Sequence, residues 1–191
     1  MARLNSKEAE KNAITMAAAL MAASARTAPK GRGVDSIASL ILMDDDLEKL
    51  ASAMEKNATE KPDFLSAVHR RDANNVRNSG CVLLLGVTGE PKKIEQPLNC
   101  GACGFASCEH LAKARKQARV KDFAGPVCIF QAMDLGIALC SSVKLAADFG
   151  IDNRMMYTIG AAAKSIGLLD SDVIIGIPLS VSGKNPYFDR G

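Results

Sequence analysis

An α+β fold is expected from three observations. Short apolar, β-branched runs stand far apart, at Ile37 to Met43, Cys81 to Val87 and Val173 to Val181. Long segments of helical composition lie between them, which suits a layered domain of sheet and helices. Of 191 residues, 48% are hydrophobic and 24% charged, the usage of an ordinary globular chain with enough length for one core.

The elements follow in order. Ser6 to Ala25 is rich in Ala, Met, Leu, Glu and Lys, with Asn5 and Glu8 placed as a cap and its reciprocal partner, so a helix starts there. Thr27 to Gly33 breaks it with Pro and Gly and makes a flexible basic loop. Ile37 to Met43 is a buried strand. Asp44, Asp45 and Asp46 sit where a helix N-terminus favours negative charge, and Leu47 to Met54 continues that helix. Another helix runs from Asp63 to Val76 after Pro62. Cys81 to Val87 is a second buried strand. Thr88 to Leu98 is polar and holds Pro91 and Pro97, and a cysteine-rich segment follows. Cys108 to Val120 is helical in composition, and Asp122 to Pro126 ends it. Gln131 to Phe149 is a mostly apolar helix in which only Asp134, Lys144 and Asp148 are charged. Asp152 or Asn153 is placed to cap a helix reaching Ile166, which Gly167 ends. Val173 to Val181 is the last strand, with Pro178 pointing to a strand end or a sheet edge.

Composition excludes some functions. Aromatics are 4%, with no Trp, so a stacking platform for single-stranded nucleic acid has no rings to use. The net charge of +3 is too small to imply a nucleic-acid partner. No run reaches the roughly 18 apolar residues of a membrane span. Met1 to Asn12 carries mixed charges rather than a signal peptide. A cytoplasmic protein without membrane attachment is therefore expected.

The 6 cysteines are the informative feature. In the reducing cytosol clustered thiols read as a metal site rather than as disulfides. Cys100 and Cys103 form a C-x2-C turn, with Cys108 close behind and Cys128 further on. Gly101 and Gly104 allow positive φ, so backbone N–H groups are able to point inward. Cys108 opens a predicted helix, whose positive end favours an anionic cluster. The donor set suits a [4Fe–4S] cluster held by Cys100, Cys103, Cys108 and Cys128. Two other readings stand beside it: structural zinc on the C-x2-C pair, Cys108 and either His110 or Cys128, and thiols without metal. Cys81 and Cys140 read as small core residues.

Lys113, Arg115, Lys116, Arg119 and Lys121 follow the cluster. They form either a field that raises a cluster's potential, a docking patch for an acidic redox partner, or a solvated helix face. His69 is expected on a surface helix in a structural role. His110 lies beside Cys108 and is placed to hydrogen-bond near the cluster. Neither has a nucleophile partner, so a hydrolytic triad has no support.

The Cys100-Gly101-Ala102-Cys103-Gly104 segment with Cys108 and Cys128 resembles the four-cysteine [4Fe–4S] domain of certain electron-transfer subunits and corrinoid proteins. The whole chain resembles a family of uncharacterised bacterial and archaeal proteins containing a ferredoxin domain. The flanks resemble the flavin-dependent nitroreductase fold: the helix, Ala28-Pro29 loop, strand and acidic helix start of Ala17 to Met54, and near the end Gly160-Ala161-Ala162-Ala163 and Gly176-Ile177-Pro178-Leu179. That resemblance implies a domain over residues 1–191 with a [4Fe–4S] insertion at 98–130. It also implies a homodimer and an FMN site in which Lys30 and Arg32 grip the phosphate. Nitroreductases carry Ser, Asn and Gln in that loop, where this chain has Lys30, Arg32, Gly33 and Asp35. The function expected is electron transfer through the cluster, with a redox partner protein. The alternatives are an FMN-dependent oxidoreductase using the cluster as relay, and a non-enzymatic protein with a structural zinc.

Overall fold

A computed structural model describes residues 3–188, so Met1 and Ala2 of the expected N-terminal segment, and the ends of the expected 1–191 domain, lie outside the described residues. Helix α1 (Ser6–Thr27) starts with the expected capping box: the Asn5 side chain accepts from the Glu8 amide, and Glu8 accepts from the Asn5 amide. A single 3-10 turn at Gly31–Gly33 leads to β1 (Ile37–Leu42). Helices α2 (Asp45–Ala58) and α3 (Asp63–Arg77) precede β2 (Cys81–Val87). Then come α4 (Cys108–Arg115), the short strands β3 (Arg119–Val120) and β4 (Ala124–Gly125), and the long helix α5 (Ile129–Asp148). Strand β5 (Asp152–Asn153), helix α6 (Tyr157–Ser165) and strand β6 (Val173–Ser180) complete the chain.

The main sheet has the order β1-β2-β6-β5, with neighbours antiparallel. Helices cover both of its faces, and this double cover explains why β2 is apolar at every position instead of alternating. Cys81, Leu83, Leu85 and Val87 face a core shared with α1 and α5, whereas Val82 and Leu84 face α2, α3 and α6. Gly160 lets α6 press onto β6. A Cβ there would stand 1.6 Å from the Ile174 carbonyl oxygen.

Several expectations are corrected. The helix from Cys108 stops at Arg115, because Arg119–Val120 pairs with Ala124–Gly125 as a small hairpin. Asp152 and Asn153 are strand rather than cap, pairing with Ser180 and Leu179. Strand β6 lies inside the sheet, with Pro178 opposite Val82. Proline is tolerated there because the β5 ladder lapses between Asn153 and the Met156–Gly176 bridge, the stretch its missing N–H would face. Cys140 is exposed on α5 rather than in the core. His69 is 0% exposed, enclosed under α6 where Tyr157 meets its ring edge-on at 6.1 Å. Helix α5 is long and apolar enough to cross a membrane by length and composition, and here it packs against α1 and the sheet.

Candidate metal centre

Beyond β2 the chain leaves the sheet and returns only at α5. This excursion is tied down by Arg115, whose side chain is 6% exposed. Its guanidinium donates to Glu90 at 2.9 Å, to Asp172 at 2.5 Å and to the Pro126 carbonyl. Asp172 also accepts from the Gly89 amide at 2.7 Å, so the start and end of the excursion share one anchor beside β6. Arg115 is therefore a structural tether, while Lys116, Arg119 and Lys121 of the same basic run are exposed.

Within the excursion, Cys100, Cys103, Cys108 and Cys128 line one small cavity. Cys100 is exposed, Cys103 and Cys108 are half-buried, and Cys128 is buried. Local geometry explains the gathering. Gly101 and Gly104 have φ of 74° and 84°, and the Gly104 amide donates to the Gly101 carbonyl at 2.9 Å, folding the C-x2-C segment into a tight turn. The Asn99 side chain accepts from the Cys108 amide at 2.9 Å, closing the loop onto the start of α4. Ser107 caps α4 by accepting from the His110 amide at 3.2 Å. Cys108 is the first residue of α4 and Cys128 the N-cap of α5. Two helix N-termini thus converge on the thiols, and their partial positive charge favours anionic sulfur.

Leu98, Phe105, Leu111, Ile129 and Phe130 give the cavity its apolar walls, beside the polar and charged lining of Asn99, Ser107, Arg32 and Lys92. His110 is absent from the lining and turns its Nδ1 to the Ser107 hydroxyl at 2.7 Å. Among the described residues, no group of three or more His, Cys, Asp or Glu side chains is gathered closely enough to hold a metal ion. Cys81 lies in the β2 core, where burial pushes its thiol pKa up to about 12.

The basic loop divides in two. Lys30 turns back to cap α1, donating to the carbonyls of Ala25 at 2.6 Å and Arg26 at 2.5 Å, with Asp35 at 3.8 Å. Arg32 instead lines the cysteine cavity. Two residues absent from the sequence-based candidates complete the site. Lys92, 5% exposed, lines the same cavity and pairs with the buried Asp134 of α5. The available signal was Asp134 itself, an acid within the first half of an apolar helix.

Antiparallel strands between helical layers, with a thiol-lined excursion at one end, define a protein of the nitroreductase fold. Solved structures agree on the fold. A nitroreductase family protein from Clostridium novyi NT matches with a TM-score of 0.50 at 15% identity, over 98% of this chain and 79% of that one. A BluB-like flavoprotein from Clostridium difficile 630 matches with a TM-score of 0.53 at 15% identity, over 96% of this chain and 84% of that one. The family described as "uncharacterized protein containing a ferredoxin domain" matches residues 124–190, a span that includes Cys128 and none of the other cavity thiols. An uncharacterized protein from Archaeoglobus fulgidus is 46% identical over 188 residues, 98% of this chain and 97% of that one. The chain belongs to this ferredoxin-domain family.

Proposed function

We propose that this protein is a one-electron carrier holding one [4Fe–4S] cluster on Cys100, Cys103, Cys108 and Cys128. The observation that carries this is the shared cavity: thiols from two separate chain segments meet where two helices begin. All four sulfur donors in the lining are cysteines and His110 lies outside it, an all-thiolate donor set that suits an iron–sulfur cluster. When bound, the cluster would supply reversible one-electron chemistry. The residues do the rest. The apolar walls exclude water on the inner side, and the exposed Cys100 leaves a short path to a docked partner. Exposed Lys116, Arg119 and Lys121 offer that redox partner a cationic approach, which favours an acidic surface. The setting proposed is the reducing cytoplasm, where such thiols stay free.

A second reading rests on the fold, which this chain shares with a BluB-like flavoprotein and with an NADPH:FMN oxidoreductase from Vibrio harveyi. In it an FMN accepts electrons from the cluster. Arg32 is then the loop cation left for phosphate, because Lys30 is committed to α1. The same fold resemblance supports a homodimer.

Anaerobic purification tests both readings, with iron, sulfide, zinc and flavin assayed and absorption read before and after dithionite. Brown protein with four irons that bleaches reversibly is expected. Serine at Cys100, Cys103, Cys108 or Cys128 should each lower iron content, and Cys140→Ser should not. Bound flavin in addition promotes the oxidoreductase, and colourless protein with one zinc overturns both.

A further inference from the structure

The cavity that gathers the cysteines carries two charged side chains in its lining, Arg32 and Lys92, and no carboxylate. Their situations differ. The Lys92 ammonium is neutralised by Asp134 and also donates to the Val34 carbonyl at 2.6 Å. The other carboxylate oxygen of Asp134 accepts from the Gly31 amide at 2.9 Å. Helix α5, the basic loop and the Lys92 segment are thereby locked together at one buried point.

Arg32 sits on top of that lock. It has φ 59° and ψ 16°, a left-handed conformation uncommon for a residue with a side chain, and its surroundings hold it there. Its guanidinium donates to the carbonyls of Gln96 at 2.6 Å and Lys92 at 3.3 Å. Those acceptors are neutral, and among the described residues no carboxylate pairs with Arg32, so its positive charge is uncompensated at the rim of the thiol cavity.

We propose that Arg32 sets the reduction potential of the cluster, with the Lys92–Asp134 pair as the latch that positions it. This rests on the cluster reading above. A cage on four thiolates is anionic before and after it takes up one electron, and reduction adds one further negative charge to the cavity. A fixed cation stabilises the reduced form more than the oxidised form and raises the potential. Arg32 acts through the cluster's field and has no part in ligation.

The test is a potentiometric titration of anaerobically reconstituted protein, with dithionite as reductant, alongside iron and sulfide content. Arg32→Gly removes the charge and suits the left-handed turn, so it leaves the fold unstrained. It should load iron as the parent does and lower the midpoint by about 59 mV, a tenfold change for a one-electron couple. Arg32→Lys keeps the charge and should restore most of that shift. An unchanged midpoint in a loaded Arg32→Gly protein overturns the proposal and leaves the cluster reading intact. So does an Arg32→Gly protein that folds but takes up no iron, since Arg32 would then serve assembly. A parent protein that takes up no iron and sulfide overturns the cluster reading itself.

Discussion

His69 is buried with both ring nitrogens lacking a partner among the described residues, an arrangement costing about 1–3 kcal/mol for an unsatisfied polar group. Burial holds its pKa below the usual histidine value, Lys61 pushes the same way, and Asp122 and Asp72 oppose. The folded protein therefore resists a proton that the unfolded chain accepts near its ordinary pKa of about 6.5. Stability lost to this group is absent at higher pH and grows as pH falls below that value, by about 1.4 kcal/mol per unit of depression. His69→Leu should be at least as stable as the parent at pH 8, and the gap should widen on going to pH 5. Urea unfolding across that range checks it. Parallel pH profiles for the two proteins would show that His69 is neutralised in some other way. Nothing in Val68-His69-Arg70-Arg71 signals burial, because its charged neighbours on α3 read as surface. The enclosing contact comes from Tyr157, far along the chain.

At the scale of elements, local signals were legible where they decided the outcome alone. The capping box starts α1, and the apolar runs of β1 and β2 became strands within a residue of the expected bounds. They failed where a distant partner decided. Arg119–Val120 continues a helical composition, yet it pairs with Ala124–Gly125 while Arg115 turns inward to Asp172. Asp152 and Asn153 look like caps until the unpaired end of β6 is available to them. The glycine of Gly160-Ala161-Ala162-Ala163 belongs to the same class. It is small because α6 lies against the β6 backbone, and Gly176 in turn makes room for Ile159, whose Cγ2 would be 2.0 Å from a Cβ at that position. The carbonyl of Ile174 is held in the sheet and cannot yield as a flexible side chain would. Gly160→Ala should accordingly cost about 3 kcal/mol. Urea midpoints compared at equal slope measure it. A loss within about 0.5 kcal/mol, the range of an ordinary surface change, would mean that helix and strand separate freely.

For the whole molecule, the gathering of Cys100, Cys103 and Cys108 was legible because their spacing is local, and the shared cavity follows once α5 brings Cys128 to the same end. The Lys92–Asp134 lock was only half legible, since Asp134 stands out as an acid in an apolar helix whereas Lys92 passes for surface charge in a polar stretch. The outer face of the α1–α5 layer remains. Met16 is 65% exposed, Met133 51% and Phe149 55%, with Leu20 and Ile137 also exposed. Water-facing apolar side chains on two packed helices form a face of the kind that marks a protein contact. The homodimer proposed above would supply an occupant of matching chemistry, because a two-fold axis sets the same apolar patch against itself. Ile137→Glu would then bury a carboxylate against its own copy, a severe cost without a partner charge. The parent should sediment at twice the chain mass of 20.2 kDa and the variant at 20.2 kDa, with unchanged circular dichroism. A parent that sediments as a single chain would leave this face to some other contact and remove the dimer from the proposed architecture.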